Sequence, residues 1–167
     1  MSNLRRYYKE GNLYFLTNVT YQRKPILVKN IDLFWNAVSK TKEKMPFEIV
    51  AWVILPDHFH MILNPMLSTP SSILKRIKLS FLRKYKMRIG VGSFRVWQPR
   101  FWDHVIRNQE DMNRHIDYIH YNRVKHKLVT SPFDYPHSSI AAFRQGGLYG
   151  DDWGEREPVF GEADFGE

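Results

Sequence analysis

The sequence predicts an α+β fold, a small antiparallel sheet with helices packed on one face. Short runs rich in β-branched and aromatic residues alternate with longer segments whose apolar residues recur every three or four positions. Two of the apolar runs are separated only by Pro56-Asp57, a turn sequence that predicts a hairpin and hence antiparallel strands. The 167 residues, 43% of them hydrophobic, are enough for one domain.

The first half of the chain is predicted to contain three strands and a helix. The predicted strands lie at 13–21, 47–55 and 58–64, and the predicted helix lies at 31–44. Phe34 and Val38 are part of the apolar side of this helix, and Pro46 ends it because proline cannot donate a backbone hydrogen bond.

The second half is predicted to contain two longer helices with a strand between them. These elements lie at 70–89, at 97–106 and from 109 to about 127. Thr69 supplies a capping hydroxyl to the first of the two helices and Pro70 is a favourable first residue. Asn108 is predicted to cap the second helix.

The formal net charge of +8 is distributed unevenly along the chain. Residues 146–167 hold seven acidic residues, one arginine and six of the nine glycines, so their net charge is −6 and that of residues 1–145 is +14. We therefore expect one domain at 1–145 and an acidic, glycine-rich tail at 146–167 that has no role in the core. The basic domain predicts a polyanionic partner, above all nucleic acid.

The predicted helix at 70–89 has a basic side and no acidic residue. Its apolar residues lie on the other side, as the helical period places them. Because a solvated helix face usually mixes charges of both signs, we expect this face to contact phosphates. The basic residues assigned to this face are Lys75, Arg76, Lys78, Arg83 and Lys86.

The composition excludes several classes of protein. Without cysteine the chain has no disulfide, no thiolate zinc site and no cysteine nucleophile. Its longest apolar run, 49–55, is too short to span a bilayer, and the first residues lack the apolar core of a signal peptide. We expect a cytoplasmic protein with no membrane partner.

His58 and His60 are the first candidates for chemistry. Residues two apart on a strand point to the same face, so both imidazoles converge while Phe59 enters the opposite face. Two imidazoles in this arrangement suit a shared metal ion, although a His-x-His pair alone is a weak signal.

The last helix offers a second candidate group. Its polar stripe comprises Asp111, His115, Tyr118, Asn122 and Lys125. A tyrosine is a nucleophile only when a cation lies near the group that it attacks, and the amide oxygen of Asn122 is able to hold that cation beside the imidazoles. Tyr121 is the rival nucleophile. From these residues alone, simple packing of Tyr118 and Asn122 against the sheet is the favoured interpretation.

Three motifs occur in order along the chain. They are Leu55-Pro56-Asp57-His58-Phe59-His60, Trp97-Gln98-Pro99-Arg100-Phe101-Trp102-Asp103-His104 and Asp117-Tyr118-Ile119-His120-Tyr121-Asn122-Arg123-Val124-Lys125-His126. In order and spacing they resemble the single-tyrosine HUH transposases, most of all the REP-associated tyrosine transposases. The resemblance covers residues 5–145 and includes the opening Arg5-Arg6-Tyr7-Tyr8.

The resemblance implies a ferredoxin-like HUH sandwich and a transposase that cleaves and rejoins single-stranded DNA near hairpins. It implies that His58 and His60 bind Mg²⁺ or Mn²⁺ with Asn122 as third ligand, and that Tyr118 attacks a phosphate to form a 5′-phosphotyrosine. The metal acts as a Lewis acid. Because imidazole is a less natural ligand for Mg²⁺ than for Mn²⁺, we expect Mn²⁺ to support activity at least as well.

The resemblance also implies DNA contacts by Arg5, Arg6 and Arg100, and it leaves open whether the protein is a monomer or a homodimer. The chain departs from the family pattern at two positions. Arg123 replaces a proline and Lys127 a glycine, so we expect a longer helix end and a changed setting for Tyr118.

Two other classes of function compete with this interpretation. A non-catalytic domain that binds single-stranded nucleic acid would explain the charge and the aromatic residues, although no strand has the aromatic pattern of RNA-recognition sheets. A phosphoesterase with two His-x-Ser/Thr motifs would need a second copy of the pattern found at His137-Ser138-Ser139. A structural zinc site lacks the usual four ligands.

Overall fold

The computed structural model describes residues 13–90, 92–161 and 163–167. Its strands are β1 (Tyr14–Val19), β2 (Glu48–Ile54), β3 (His58–Asn64) and β4 (Trp102–Val105). They form one antiparallel sheet in the order β2-β3-β1-β4. The α-helices are α1 (Ile31–Lys44), α2 (Pro70–Ile89), α3 (Gln109–Lys125) and α4 (Ile140–Gln145). The α+β class and the antiparallel sheet are confirmed.

The hairpin of β2 and β3 forms as predicted. Ile54 pairs with Phe59, and the Leu55 N–H donates to the His58 carbonyl oxygen at 2.8 Å, which closes the turn at Pro56-Asp57. All residues of β3 except the last are buried. This hairpin therefore fixes the position of the two histidines within the middle of the sheet.

The helix ends follow the capping signals. The Thr69 hydroxyl accepts from the Ser72 N–H at the start of α2, and Gly90 ends this helix with a φ of 68°, a conformation that favours glycine. The Asn108 side chain accepts from the Asp111 N–H at the start of α3. Both predicted caps are confirmed.

The helices cover both faces of the sheet, so the prediction of one covered face is wrong. α1 and α2 pack against the face that carries Phe59 and Met61. α3 packs against the opposite face, which carries Phe15 and Ile62. The reason is that the central strands alternate apolar residues toward both sides, and each side needs a cover.

The predicted strand at 97–106 is also shorter than expected. Only Trp102–Val105 pairs along β1, while Trp97 makes an isolated bridge to Thr20. Pro99 lies between these two stretches and has no N–H for the ladder. None of the helices in the described part of the chain has both the length and the hydropathy needed to cross a bilayer.

Candidate active site

His58 and His60 lie side by side on the face of the sheet that α3 covers. The two rings are 5.0 Å apart between centroids, and both side chains are buried. Phe59 points the other way and packs 5.0 Å from Phe34 of α1. The predicted same-face geometry of the two histidines is confirmed.

Each imidazole is oriented by a hydrogen bond at Nδ1. Asp57 Oδ1 lies 2.7 Å from His58 Nδ1, and Thr17 Oγ1 lies 2.7 Å from His60 Nδ1. Burial lowers the pKa of His60 to about 4, so this ring is neutral at neutral pH. Burial opposes protonation of His58 as well, but the neighbouring carboxylates of Asp57 and Glu167 outweigh that effect and raise its pKa.

Tyr118 and Asn122 face the histidines from α3. The Tyr118 ring lies 5.4 Å from the His60 ring, edge to face, and Asn122 follows one turn later, fully buried. The Lys125 ammonium donates to the Tyr118 hydroxyl oxygen at 3.1 Å. Tyr121, in contrast, packs against Trp153 and Phe160. The structure thus brings His58, His60, Tyr118 and Asn122 together.

The carboxylate of Glu167 enters the space between these residues. Its Oε1 atom lies close to the side-chain nitrogen atoms of four residues, at 3.6 Å from His58 Nε2, 2.9 Å from His60 Nε2, 2.8 Å from Asn122 Nδ2 and 3.2 Å from His126 Nε2. Its Oε2 atom accepts from Lys125 at 3.0 Å. Burial alone would raise the pKa of Glu167, but these bonds, above all those to the histidines, lower it well below its ordinary value.

The donor set fits a divalent cation. His58 Nε2 and Asn122 Oδ1 are buried and have no hydrogen-bond partner among the described residues. The Thr17 hydroxyl donates to the Phe165 carbonyl oxygen at 2.6 Å, so it accepts from Nδ1–H of His60 and leaves a lone pair on Nε2 that faces the Glu167 carboxylate. The Nε2 atoms of His58 and His60 both face the Glu167 carboxylate, and acceptor atoms placed in this way need a cation or a proton between them. Asn122 turns Nδ2 toward the same point, so a rotation of its amide would bring Oδ1 there.

Residues 163–167 cover the site. The Phe165 ring stacks on the Tyr118 ring with centroids 3.6 Å apart and an angle of 3°, which leaves Tyr118 1% exposed. Gly166 has a φ of +72°, and a Cβ atom there would lie 2.3 Å from Trp102, so this position requires glycine. Burial and the neighbouring Glu167 carboxylate raise the pKa of Tyr118 far above its ordinary value.

The expectation that residues 146–167 have no role in the core is therefore wrong. Phe165 belongs to the buried core on the α3 side of the sheet. The Tyr149 hydroxyl lies 2.9 Å from His120 Nδ1 and donates to Asp117 Oδ1 at 3.1 Å. Glycines and acidic residues dominate this segment, but its aromatic residues attach it to α3. The division of the chain at residue 145 stays a prediction.

The predicted DNA-binding residues lie apart from Tyr118. α2 is on the other face of the sheet, where Lys75, Arg76 and Arg83 are exposed, whereas Lys78 and Lys86 are half-buried and lie over Trp97 and Phe94. A basic cleft of about 590 Å³ is lined by residues of both α1 and α2. Its cationic lining residues are Lys40, Lys44, Arg76, Arg83 and Lys84.

The other predicted DNA contacts are placed as follows. Arg100 is exposed just before β4, while Arg5 and Arg6 lie outside the described residues. Arg123, at the family's proline position, is fully buried with its guanidinium 3.2 Å from the centre of the Tyr135 ring, and burial lowers its pKa to about 10.

Sequence reasoning missed four residues of the site. Lys125 was named in the polar stripe of α3 but given no role in the site, and His126 directly follows the helix as its C-cap. Asp57 stood next to His58 in the predicted turn. Glu167 gave no local signal, because it meets His60 across 107 positions of the chain.

Comparisons with known proteins show which family the chain belongs to. Residues 10–122 match the family described as transposase IS200 like. The chain is 40% identical over 156 residues to the REP-associated tyrosine transposase of Escherichia coli (strain K12), which covers 92% of this chain and 91% of the relative. It is 38% identical to a putative REP-associated tyrosine transposase of Haemophilus influenzae, over 92% and 94% of the two chains.

A solved structure is similar as well. The structure of a REP-associated tyrosine transposase bound to a REP hairpin aligns with a TM-score of 0.80 and 36% identity, over 98% of this chain and 95% of that one.

Proposed function

Because this chain belongs to the IS200-like transposase family and, within it, to the REP-associated tyrosine transposases, we propose that it cleaves and rejoins single-stranded DNA beside a hairpin through Tyr118. The observation that carries the proposal is the convergence of His58, His60 and Asn122 on one point beside the Tyr118 ring. Packing of a buried tyrosine alone would not require two imidazoles and an amide beside its ring.

We propose His58, His60 and Asn122 as the ligands of a divalent cation, with His126 as a further candidate ligand at the same point. When bound, this cation supplies Lewis-acid stabilisation of charge on the phosphate. Asp57 and Thr17 hold the two imidazoles with Nε2 toward α3, which is the positioning that metal-binding histidines usually receive from a neighbouring acceptor. Imidazole ligands favour Mn²⁺ over Mg²⁺.

Tyr118 is the proposed nucleophile. Its oxygen forms a bond to phosphorus, the bond from phosphorus to the 3′-oxygen of the preceding nucleotide in the same strand breaks, and the proton lost by the phenol is balanced by the proton gained by the new 3′-hydroxyl. The product is a 5′-phosphotyrosine, and attack by a 3′-hydroxyl reverses the step. Lys125, whose ammonium donates to the Tyr118 oxygen, stabilises the phenolate as its proton leaves.

The covering residues 163–167 must leave before DNA enters. Phe165 lies against the face of Tyr118, and the carboxylate of Glu167 sits among the four side-chain nitrogen atoms where the proposed cation and the phosphate belong. The described conformation is therefore closed. A carboxylate and a phosphate are both anionic, so they compete for this position.

The proposed substrate is a single strand that carries a hairpin, and the similar solved structure is bound to a REP hairpin. The exposed residues Lys75, Arg76 and Arg83 of α2 suit contacts to the hairpin backbone, and Arg100 suits the strand that leads to Tyr118. A DNA substrate of this kind is consistent with a cytoplasmic protein.

The function is tested with the full chain, Mn²⁺ and hairpin-bearing single strands labelled at the 5′ or the 3′ end. We expect an adduct that survives denaturant and carries only the 3′ label, because the 5′-phosphate stays on the enzyme. EDTA and His58→Ala abolish it. Binding that is independent of metal and gives no adduct would instead identify a non-catalytic nucleic-acid-binding domain.

A further inference from the structure

A second group of metal-binding side chains lies outside the site of His58 and His60. It comprises His104 of β4 and Asp111 and His115 of α3, and one possible ligand atom from each lies within 4.8 Å of the others. His104 pairs with Phe15 across the sheet and lies on the face that α3 covers. The group therefore joins an edge strand to the helix that carries Tyr118.

The hydrogen bonds within this group leave two buried acceptor atoms unpaired. Asp111 Oδ2 lies 2.8 Å from His104 Nε2 and accepts from the backbone and side chain of Arg107 at 3.0 and 3.2 Å, but Asp111 Oδ1 has no hydrogen-bond partner among the described residues. His115 Nδ1 donates to the Asp111 carbonyl oxygen at 2.8 Å, which leaves His115 Nε2 as a buried acceptor without a donor among those residues.

Unpaired buried acceptors are costly, and a cation removes that cost. Asp111 and His115 are 3% and 1% exposed, so bulk water does not solvate them. Asp111 Oδ1 also lies 3.4 Å from His115 Nδ1, on the side of the carboxylate that Arg107 does not use. Asp111 Oδ1 and His115 Nε2 thus remain two buried acceptor atoms without a hydrogen-bond donor among the described residues.

The group is open to solvent on one side. A cavity of about 370 Å³ is lined by all three side chains, together with Trp102, Arg107, Arg114, Ala163 and Asp164. Water in this cavity is available for the coordination positions that three protein ligands leave free. Asp164 brings a carboxylate to the rim, and Arg107 keeps most of its side chain in solvent.

We propose that His104, Asp111 and His115 bind a second divalent transition-metal ion, independent of the ion at His58 and His60. Two imidazoles and one carboxylate with open positions are a known ligand set for such ions and a poor one for Mg²⁺ or Ca²⁺. Binding there cross-links β4 to the first turns of α3, just below residues 163–165.

Cobalt binding to the full chain tests this site without DNA or catalysis. The variant His58→Ala/His60→Ala removes the first site, and we expect it to bind one equivalent of Co²⁺, measured by calorimetry and by the visible absorption of the bound ion, where the unaltered protein binds two. Adding His104→Gln to that variant abolishes the remaining equivalent. His104 is the best position because its side chain is 25% exposed and the fold tolerates a polar replacement.

Asp111→Asn in the same background keeps the size of the side chain and is expected to abolish binding too. Thermal unfolding of each variant without metal shows whether it is folded. The proposal is overturned if the folded His58→Ala/His60→Ala variant binds no Co²⁺, or if its binding is unchanged by His104→Gln and Asp111→Asn. Neither result affects the proposed chemistry of Tyr118.

Discussion

Replacing Phe165 by alanine is expected to open the active site. Phe165 is 8% exposed, stacks on Tyr118 at 3.6 Å, and also packs against Phe15, His115 and Phe160. These contacts exist only while residues 163–167 cover the site. The substitution therefore weakens the closed state and leaves the open state unchanged.

The size of the effect follows from the buried ring. Truncating a buried phenylalanine to alanine costs about 3 to 5 kcal/mol, and the lower value applies because a terminal segment relaxes around the gap. A loss of about 3 kcal/mol raises the ratio of open to closed protein roughly 100-fold. If opening precedes DNA binding, the initial rate of adduct formation rises by up to about 100-fold at low DNA concentration, until opening no longer limits the rate.

The assay is the time course of the covalent adduct with a labelled hairpin strand and Mn²⁺. Val159→Ala is the matched control, because Val159 also lies in the tail of residues 146–167 but is 91% exposed, and its rate should equal that of the unaltered protein. If Phe165→Ala is folded and forms adduct no faster than Val159→Ala, the closed segment does not limit access and this reasoning is refuted.

Three further predictions concern the DNA, the metal and the fold. Lys75→Ala with Arg76→Ala should weaken binding to all sequences and reduce the slope of log K against log salt by about 0.7 to 0.9 for each phosphate that the variant no longer neutralises; an unchanged slope places the DNA elsewhere. His60→Ala should bind DNA yet form no adduct with Mn²⁺ or Mg²⁺, and an active variant contradicts the ligand assignment. In the unaltered protein, Mn²⁺ should support adduct formation at least as well as Mg²⁺. Truncation after Arg144 should lower Tm by several degrees in a thermal scan, because Tyr149 and the rest of the segment pack on α3, and an unchanged Tm would show that this packing adds no stability.

Local signals in the sequence predicted the parts of the fold and the site that depend on neighbours along the chain. The capping residues Thr69 and Asn108 set the starts of α2 and α3, because a cap acts within three residues. The alternation of β3 put His58 and His60 on one face for the same reason. The placement of Tyr118 opposite the two histidines came from the resemblance of the motifs to a family. Such a resemblance carries information about contacts between distant parts of the chain.

The features that sequence reasoning missed depend on contacts between distant parts of the chain. Residues 146–167 have the composition of a solvated tail, yet Phe165 stacks on Tyr118 and the Glu167 carboxylate lies 2.9 Å from His60. The second covered face of the sheet also went unnoticed. The periodicity of one strand shows that both sides are apolar, but it does not show which helix packs on which side.

The central claim is that Tyr118 forms the covalent bond to DNA. It is tested most directly by comparing Tyr118→Phe with Tyr121→Phe in the adduct assay with Mn²⁺. Each change removes one oxygen atom and little packing, so both variants should fold and bind the hairpin strand. Tyr118→Phe should form no adduct and Tyr121→Phe should form it at the normal rate. An adduct with Tyr118→Phe, or its absence with Tyr121→Phe alone, would contradict the assignment of the nucleophile.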